Sequence, residues 1–316
     1  MFHPHMALTL ESCEKLSLIP GKTTAIIATC QCSIDVMMRS VFSLLMRSDP
    51  KYLEHFIVCL NGPDSRCGDP SLQDKKQAFF EKLRGLKWQG RDMPITVIRA
   101  WSRVGHTQAM EMAIPWVHTE FYLIMHDDLI IRSIQWGEVG EAIFRDQKIA
   151  IICWPPLLCG GLVEHNYQDK KLIGFPHFNS VFMMCRKAVL TQVGARWYGY
   201  HVPVDFLLSE MVDTEEFYKH HDARNQIVIK PQAEDRYGVV STDIGAWMYY
   251  MLGQAGYRFG LFHPDTVSHL IGFSWENDKE KMQKRLVSQR PTINALLKEM
   301  ETKEPAYKVL YDEFAG

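Results

Sequence analysis

The chain has 316 residues, 47% hydrophobic and 23% charged, with a formal net charge of −2. That balance suits a globular α/β protein and gives no general attraction to nucleic acid or to an anionic membrane surface. No run approaches the about 18 apolar residues of a membrane span, and the first twenty residues lack the basic start and clean apolar core of a secretory signal.

Residues 1–20 read as an arm without periodicity. Gly21-Lys22-Thr23-Thr24 resembles the tail of a phosphate loop, but Leu16 stands where the first glycine belongs and no strand precedes it, so a P-loop is rejected. Thr23–Thr29 reads as a buried first strand. Ser33 and Asp35 then offer helix caps, and Ile34, Met37, Met38, Val41, Leu44 and Leu45 follow helical spacing as a core-facing stripe. His55–Leu60 is a second strand, stopped by the turn residues Asn61-Gly62-Pro63-Asp64. A helix is predicted over Gln73–Leu86 and a third strand over Ile95–Ala100. Arg103-Val104-Gly105-His106 follows, then a helix with Ala109, Met112 and Ala113 facing inward.

In Phe121–Ile131 an apolar run stops at His126-Asp127-Asp128, and a second apolar run follows. Such a run predicts a strand buried on both faces. Two adjacent carboxylates at its end are costly to desolvate unless they are paired or bind a cation. The same triplet also serves as an ordinary polar turn, so on its own it leaves both readings open. Further on, Ile149–Trp154 and Val181–Cys185 are strands, the latter leading into a short helix over Arg186–Val193 closed by Gly194. Residues 195–240 show little periodicity and read as a long loop. Asp243–Gly253 is an apolar helix and Arg258–Phe262 a short strand. Charged helices over Glu276–Val287 and Thr292–Glu299 form a C-terminal appendage. Strand and helix alternate through the first half, which is the rhythm of a parallel sheet with right-handed crossovers. The eight cysteines include several inside strand-like runs and no Cys-x-x-Cys pair, which fits reduced thiols of a soluble, cytoplasmic protein.

Taken in order, these motifs resemble the nucleotide-sugar-dependent glycosyltransferases of the GT-A fold, especially the large family 2. The resemblance rests on TTAIIATCQ, on Cys59–Asp64, on Gly105 to Ala109, and on His126-Asp127-Asp128 where the family has Asp-x-Asp. It continues through Val181–Gly194, Thr242-Asp243, Ala255-Gly256-Tyr257, and Val267, His269, Gly272 and Ser274. It covers residues 22–275 and implies a Rossmann-like, mostly parallel sheet flanked by helices. It places a GT-A domain over residues 21–275, its nucleotide-sugar-binding half at 21–130 and its acceptor half at 131–275, with a helical tail at 276–316.

The resemblance also implies roles. Asp128 and His269 would hold Mn²⁺ or Mg²⁺, with His126 as a third ligand, although His269 also reads as a core histidine at a strand end. Asp127 would face the ribose or sugar, and Thr29, Gln31, Asn61 and Arg103 the nucleoside. Gly105 would let the backbone approach the donor. Asp243 would be the base that deprotonates an acceptor hydroxyl, or else an ordinary helix cap. The donor would be a UDP-sugar. The acceptor is open among glycans, lipid head groups, proteins and small molecules, with a modified nucleic-acid base disfavoured by the net charge. Asn61 and His126 depart from the family pattern, and they motivate an alternative: a GT-A-like nucleotide-binding or scaffold protein without turnover.

Overall fold

Successive residues of Ala25–Ala28 point to opposite faces of a sheet, and all four are apolar and buried, so both faces need cover. Ala25 and Ile27 join one hydrophobic cluster while Ile26 and Ala28 join a second. A computed structural model describes residues 18–29, 33–60, 71–100, 106–159, 164–167, 170–174, 177–195, 226–229, 238–241, 246–270 and 279–315. In chain order its main elements begin with β1 (Ile19–Thr29), α1 (Ile34–Arg47), β2 (Leu53–Leu60), α2 (Leu72–Arg84), β3 (Ile95–Arg99) and α3 (His106–Ala113). Next come β4 (Thr119–His126), β5 (Leu129–Ile131), α4 (Trp136–Phe144), β6 (Ile149–Cys153), β7 (Phe182–Arg186) and α5 (Lys187–Gln192). The remainder are α6 (Ala246–Gln254), β8 (Arg258–Leu261), β9 (Val267–His269), α7 (Lys279–Lys303) and α8 (Pro305–Phe314).

The central sheet has seven strands in the order β8-β6-β7-β4-β1-β2-β3. Its pairings are parallel except those of β7, which runs antiparallel to both β4 and β6. An apolar run such as Phe182–Cys185 fits either direction, so its sequence carries no sign of that reversal. One face is covered by α1, α2, α4, α7 and α8, the other by α3, α5 and α6. The chain is thus an α/β protein with a mostly parallel sheet between helical layers.

Most element expectations agree to within a few residues. Ser33 caps α1, its hydroxyl accepting from the Val36 amide at 3.4 Å. Four differences stand beside them. On α3 it is Met110 rather than Met112 that is buried with Ala109 and Ala113; Met112 is 36% exposed. Within the stretch expected as a loop, Gln226–Ile229 and Gly238–Ser241 pair as strands, in a small sheet with Glu164–Tyr167 and Lys170–Gly174. Four-residue strands are too short to register as periodicity. The expected break between two C-terminal helices does not occur, since α7 runs through Pro291. Last, α7 and α8 are built into the core: Ile293, Leu296, Met300, Tyr307, Leu310 and Tyr311 are buried in the α1 cluster. The Tyr307 ring stacks on Phe42 at 5.2 Å. Burial of that stripe offsets the hydrogen bond that proline removes from a helix.

Among the described residues no helix is long and apolar enough to cross a membrane. Cys59, Cys153 and Cys185 are buried and reduced.

Candidate metal centre

From β1 the chain moves outward through β2 to β3, then returns to place β4 on the other side of β1. Strand order therefore reverses between β1 and β4, and ligands of open α/β sheets collect in the crevice outside the carboxyl ends at such a point. Ala28 of β1 is in register with His126 of β4, and Thr29 with Leu60 of β2. The triplet His126-Asp127-Asp128 sits at that edge because the apolar alternation of β4 runs out there.

Beyond the turn, β5 leaves the main sheet and pairs antiparallel with β9, setting Leu129 opposite His269 and Ile131 opposite Val267. Backbone bonds from Leu270 N to Asp128 O and from Arg132 N to Thr266 O, each 2.8 Å, extend the pairing at both ends. This ribbon carries a histidine 141 positions away in sequence to the Asp128 side chain, with His269 Nε2 at 3.1 Å from Asp128 Oδ1. On the other side His126 Nδ1 stands 3.8 Å from the same oxygen. One ligand atom from each of His126, Asp128 and His269 lies within 4.8 Å of the others. Ligands about 2.1 Å from one ion stand between about 3 Å apart at right angles and about 4.2 Å apart when opposed, so the 3.1 and 3.8 Å separations from Asp128 suit a shared divalent cation.

Asp127 and Asp128 are both 3% exposed. Burial pushes the Asp128 carboxyl up, but the hydrogen bond from His269 and the fields of His269 and His126 outweigh it. The group is held below its ordinary value, in the carboxylate form that binds metal. The rings of His126 and His269 meet edge to face, 5.7 Å apart at 73°. Trp154, at the end of β6, stands edge-on to His269 at 6.4 Å while its indole N–H donates to Pro264 O at 2.8 Å. Ser180 Oγ lies 3.5 Å from His126 Nε2. Asn179 Nδ2 donates to Trp154 O at 3.0 Å and ties these two neighbours together. Sequence pattern gives Trp154 only as a strand end, marked by Pro155-Pro156 after it, and carries no sign of Asn179 or Ser180 as neighbours of the site.

Thr29 is buried at the carboxyl end of β1, and its hydroxyl donates to Cys59 O at 3.3 Å. Its hydrogen is thus engaged across the strands while the oxygen can still accept. Gln31, Asn61, Arg103, Gly105 and Asp243 lie outside the described residues.

No family model matches the chain, and no curated protein matches it. Solved structures similar to it include a mannosyltransferase from Pyrobaculum calidifontis, PcManGT, in complex with GDP-Man and Mn²⁺. That likeness has 10% identity and a TM-score of 0.45 and covers 97% of this chain and 80% of that one. GalNAc-T7 with UDP, GalNAc and Mn²⁺ matches at 10% identity and a TM-score of 0.47, over 93% of this chain and 55% of that one. Residues 1–349 of S. aureus TarS match at 13% identity and a TM-score of 0.37, over 70% of this chain and 60% of that one.

Proposed function

We propose that this chain is a metal-dependent glycosyltransferase that moves a sugar from a UDP-sugar to an acceptor hydroxyl. The observation that carries the reading is the convergence of His126, Asp128 and His269 at the reversal point of a mostly parallel sheet. A divalent cation held by those three would neutralise the diphosphate charge that develops as the nucleotide leaves. Two imidazoles and one carboxylate favour Mn²⁺ over Mg²⁺, which prefers oxygen ligands and keeps its waters.

The remaining roles follow the motif order. Asp127, buried in the same turn, is assigned to the ribose or sugar. Thr29, Gln31, Asn61 and Arg103 are assigned to the nucleoside, and Gly105 to close approach of the backbone. Asp243, a few residues before α6, is assigned to removing the acceptor proton.

The test is release of UDP from UDP-sugars with and without Mn²⁺. Release should require Mn²⁺, respond poorly to Mg²⁺ and vanish in Asp128→Ala. Asp243→Asn should retain Mn²⁺ and UDP binding while turnover falls by about 100-fold or more, the usual contribution of a general base. A panel of UDP- and GDP-sugars that gives neither release nor a Mn²⁺-dependent thermal shift would sink the proposal.

A further inference from the structure

Helix α1 carries two serines that are fully buried, Ser40 and Ser43. Three residues apart, they are neighbours on one helix face. A serine inside a helix commonly returns its hydroxyl to the preceding turn, and Ser43 does so, donating to Ser40 O at 2.9 Å. Their oxygens have a further use. The Leu129 amide donates to Ser40 Oγ and the Ile131 amide to Ser43 Oγ, both at 2.9 Å. Ser40 Oγ in turn donates to Leu129 O.

Along a strand, the hydrogen-bonding groups of successive residues point to opposite edges. Asp128 and Arg132 bond to the β9 segment, and Ile130 stands opposite Ser268. Leu129 and Ile131 face the other edge, where α1 lies. The two hydroxyls supply there what a third strand would otherwise supply, and the buried amides need such partners. The edge of β5 is thereby held against a rigid helix, directly after the proposed ligand Asp128 and directly opposite the proposed ligand His269.

We infer that Ser40 and Ser43 are positioning residues for the metal centre: they fix β5, and with it the placement of the Asp128–His269 ribbon against His126 on β4. The inference rests on the metal reading given above. A tilt of this three-residue strand would carry Asp128 and the paired β9 away from His126, and loss of the bonds that orient a set of ligands typically weakens metal affinity by about 10- to 100-fold.

The experiment measures Mn²⁺ affinity of the full chain by titration calorimetry or electron paramagnetic resonance. The variants are Ser40→Ala, Ser43→Ala and, as a control, Thr24→Ala. Thr24 makes a buried hydroxyl–hydroxyl bond of 2.8 Å to Thr119, at the far end of β4. Removing it perturbs the same sheet without touching β5. Ser40→Ala should weaken Mn²⁺ binding by about tenfold or more, while Thr24→Ala should leave the affinity unchanged. Amide exchange at Leu129 and Ile131 should also speed up in the metal-free serine variants. If Ser40→Ala does not fold, Ser43→Ala, which keeps the Ser40 clamp, is the variant to read. Unchanged affinity in the serine variants, or an equal loss in Thr24→Ala, overturns the positioning role and leaves the metal reading standing. A wild-type chain that binds no Mn²⁺ overturns both.

Discussion

Strand β4 has a carboxylate near each end, and the two ends differ in what surrounds it. At the amino end Glu120 meets Arg186, with the guanidinium NH1 at 2.9 Å. The same guanidinium lies over the rings of Phe121 and Phe144 and donates to Phe144 O. The second Glu120 oxygen accepts from the Gly21 amide at 2.9 Å. One Glu120 oxygen thus meets a permanent cation and the other a fixed backbone group, which closes the pair. At the carboxyl end Asp128 meets two imidazoles, which can give up a proton and offer a lone pair to a metal instead. Asp128 is buried while the Glu120 side chain keeps 30% exposure, yet it is the partner's chemistry that separates a structural pair from a centre that can take a ligand.

The largest effect should come from breaking the closed pair. Glu120→Ala leaves the Arg186 guanidinium buried, its side chain 6% exposed, without its counter-charge. Loss of one partner of a fully buried pair costs about 3–5 kcal/mol; with Glu120 30% exposed the loss here should fall at or below the lower end of that range, read from the urea midpoint. Asp128→Ala should behave in the opposite way. It removes the hydrogen bond from His269 that, with the fields of both imidazoles, outweighs the burial cost of the carboxylate. The two imidazoles left behind keep 27% and 12% exposure and water can serve them, so stability should fall by only about 1 kcal/mol. Mn²⁺ affinity should meanwhile fall by more than the about 100-fold that an outer-shell partner commands. A large stability loss in Asp128→Ala with Mn²⁺ binding intact would erase the distinction between the two ends.

The difference between the ends was half legible in the sequence. The end of β4 announced itself because an apolar run met two aspartates, and the order of motifs brought His269 into the same site. Arg186 was visible only as the start of a helix, because nothing in a linear pattern says that Glu120 and two aromatic rings close around it. Ser40 and Ser43 were hidden for a related reason: a serine within an amphipathic helix reads as a neutral position until the strand it bonds is in place. The reversed direction of β7 and the docking of α8 also depend on contacts between distant segments, about which local periodicity is silent. What local chemistry dictates, such as the Ser33 cap or the strand ends, was readable; what tertiary pairing dictates was not.

A third carboxylate tests the comparison at smaller scale. Glu299 on α7 receives both terminal nitrogens of Arg47 on α1. That hydrogen bonding outweighs burial and holds its pKa down at about 2, against an ordinary 4.5. Because the folded value is depressed, the pair stabilises the fold fully above pH 4.5, and the contribution is lost as pH falls from there through about 2. Both side chains keep some solvent contact, 18% and 16%, and Arg47 Nε is buried without a hydrogen-bond partner, so the net gain is modest. Glu299→Gln should cost about 1 kcal/mol at neutral pH. Urea midpoints measured from neutral to acid should converge for wild type and variant as pH approaches 2, because only the wild type loses the pair. Parallel curves would mean that Arg47 does not hold this carboxylate down. Mn²⁺ affinity should not follow the change, since an arginine-paired carboxylate of this kind, like Glu120 and unlike Asp128, is closed to a metal.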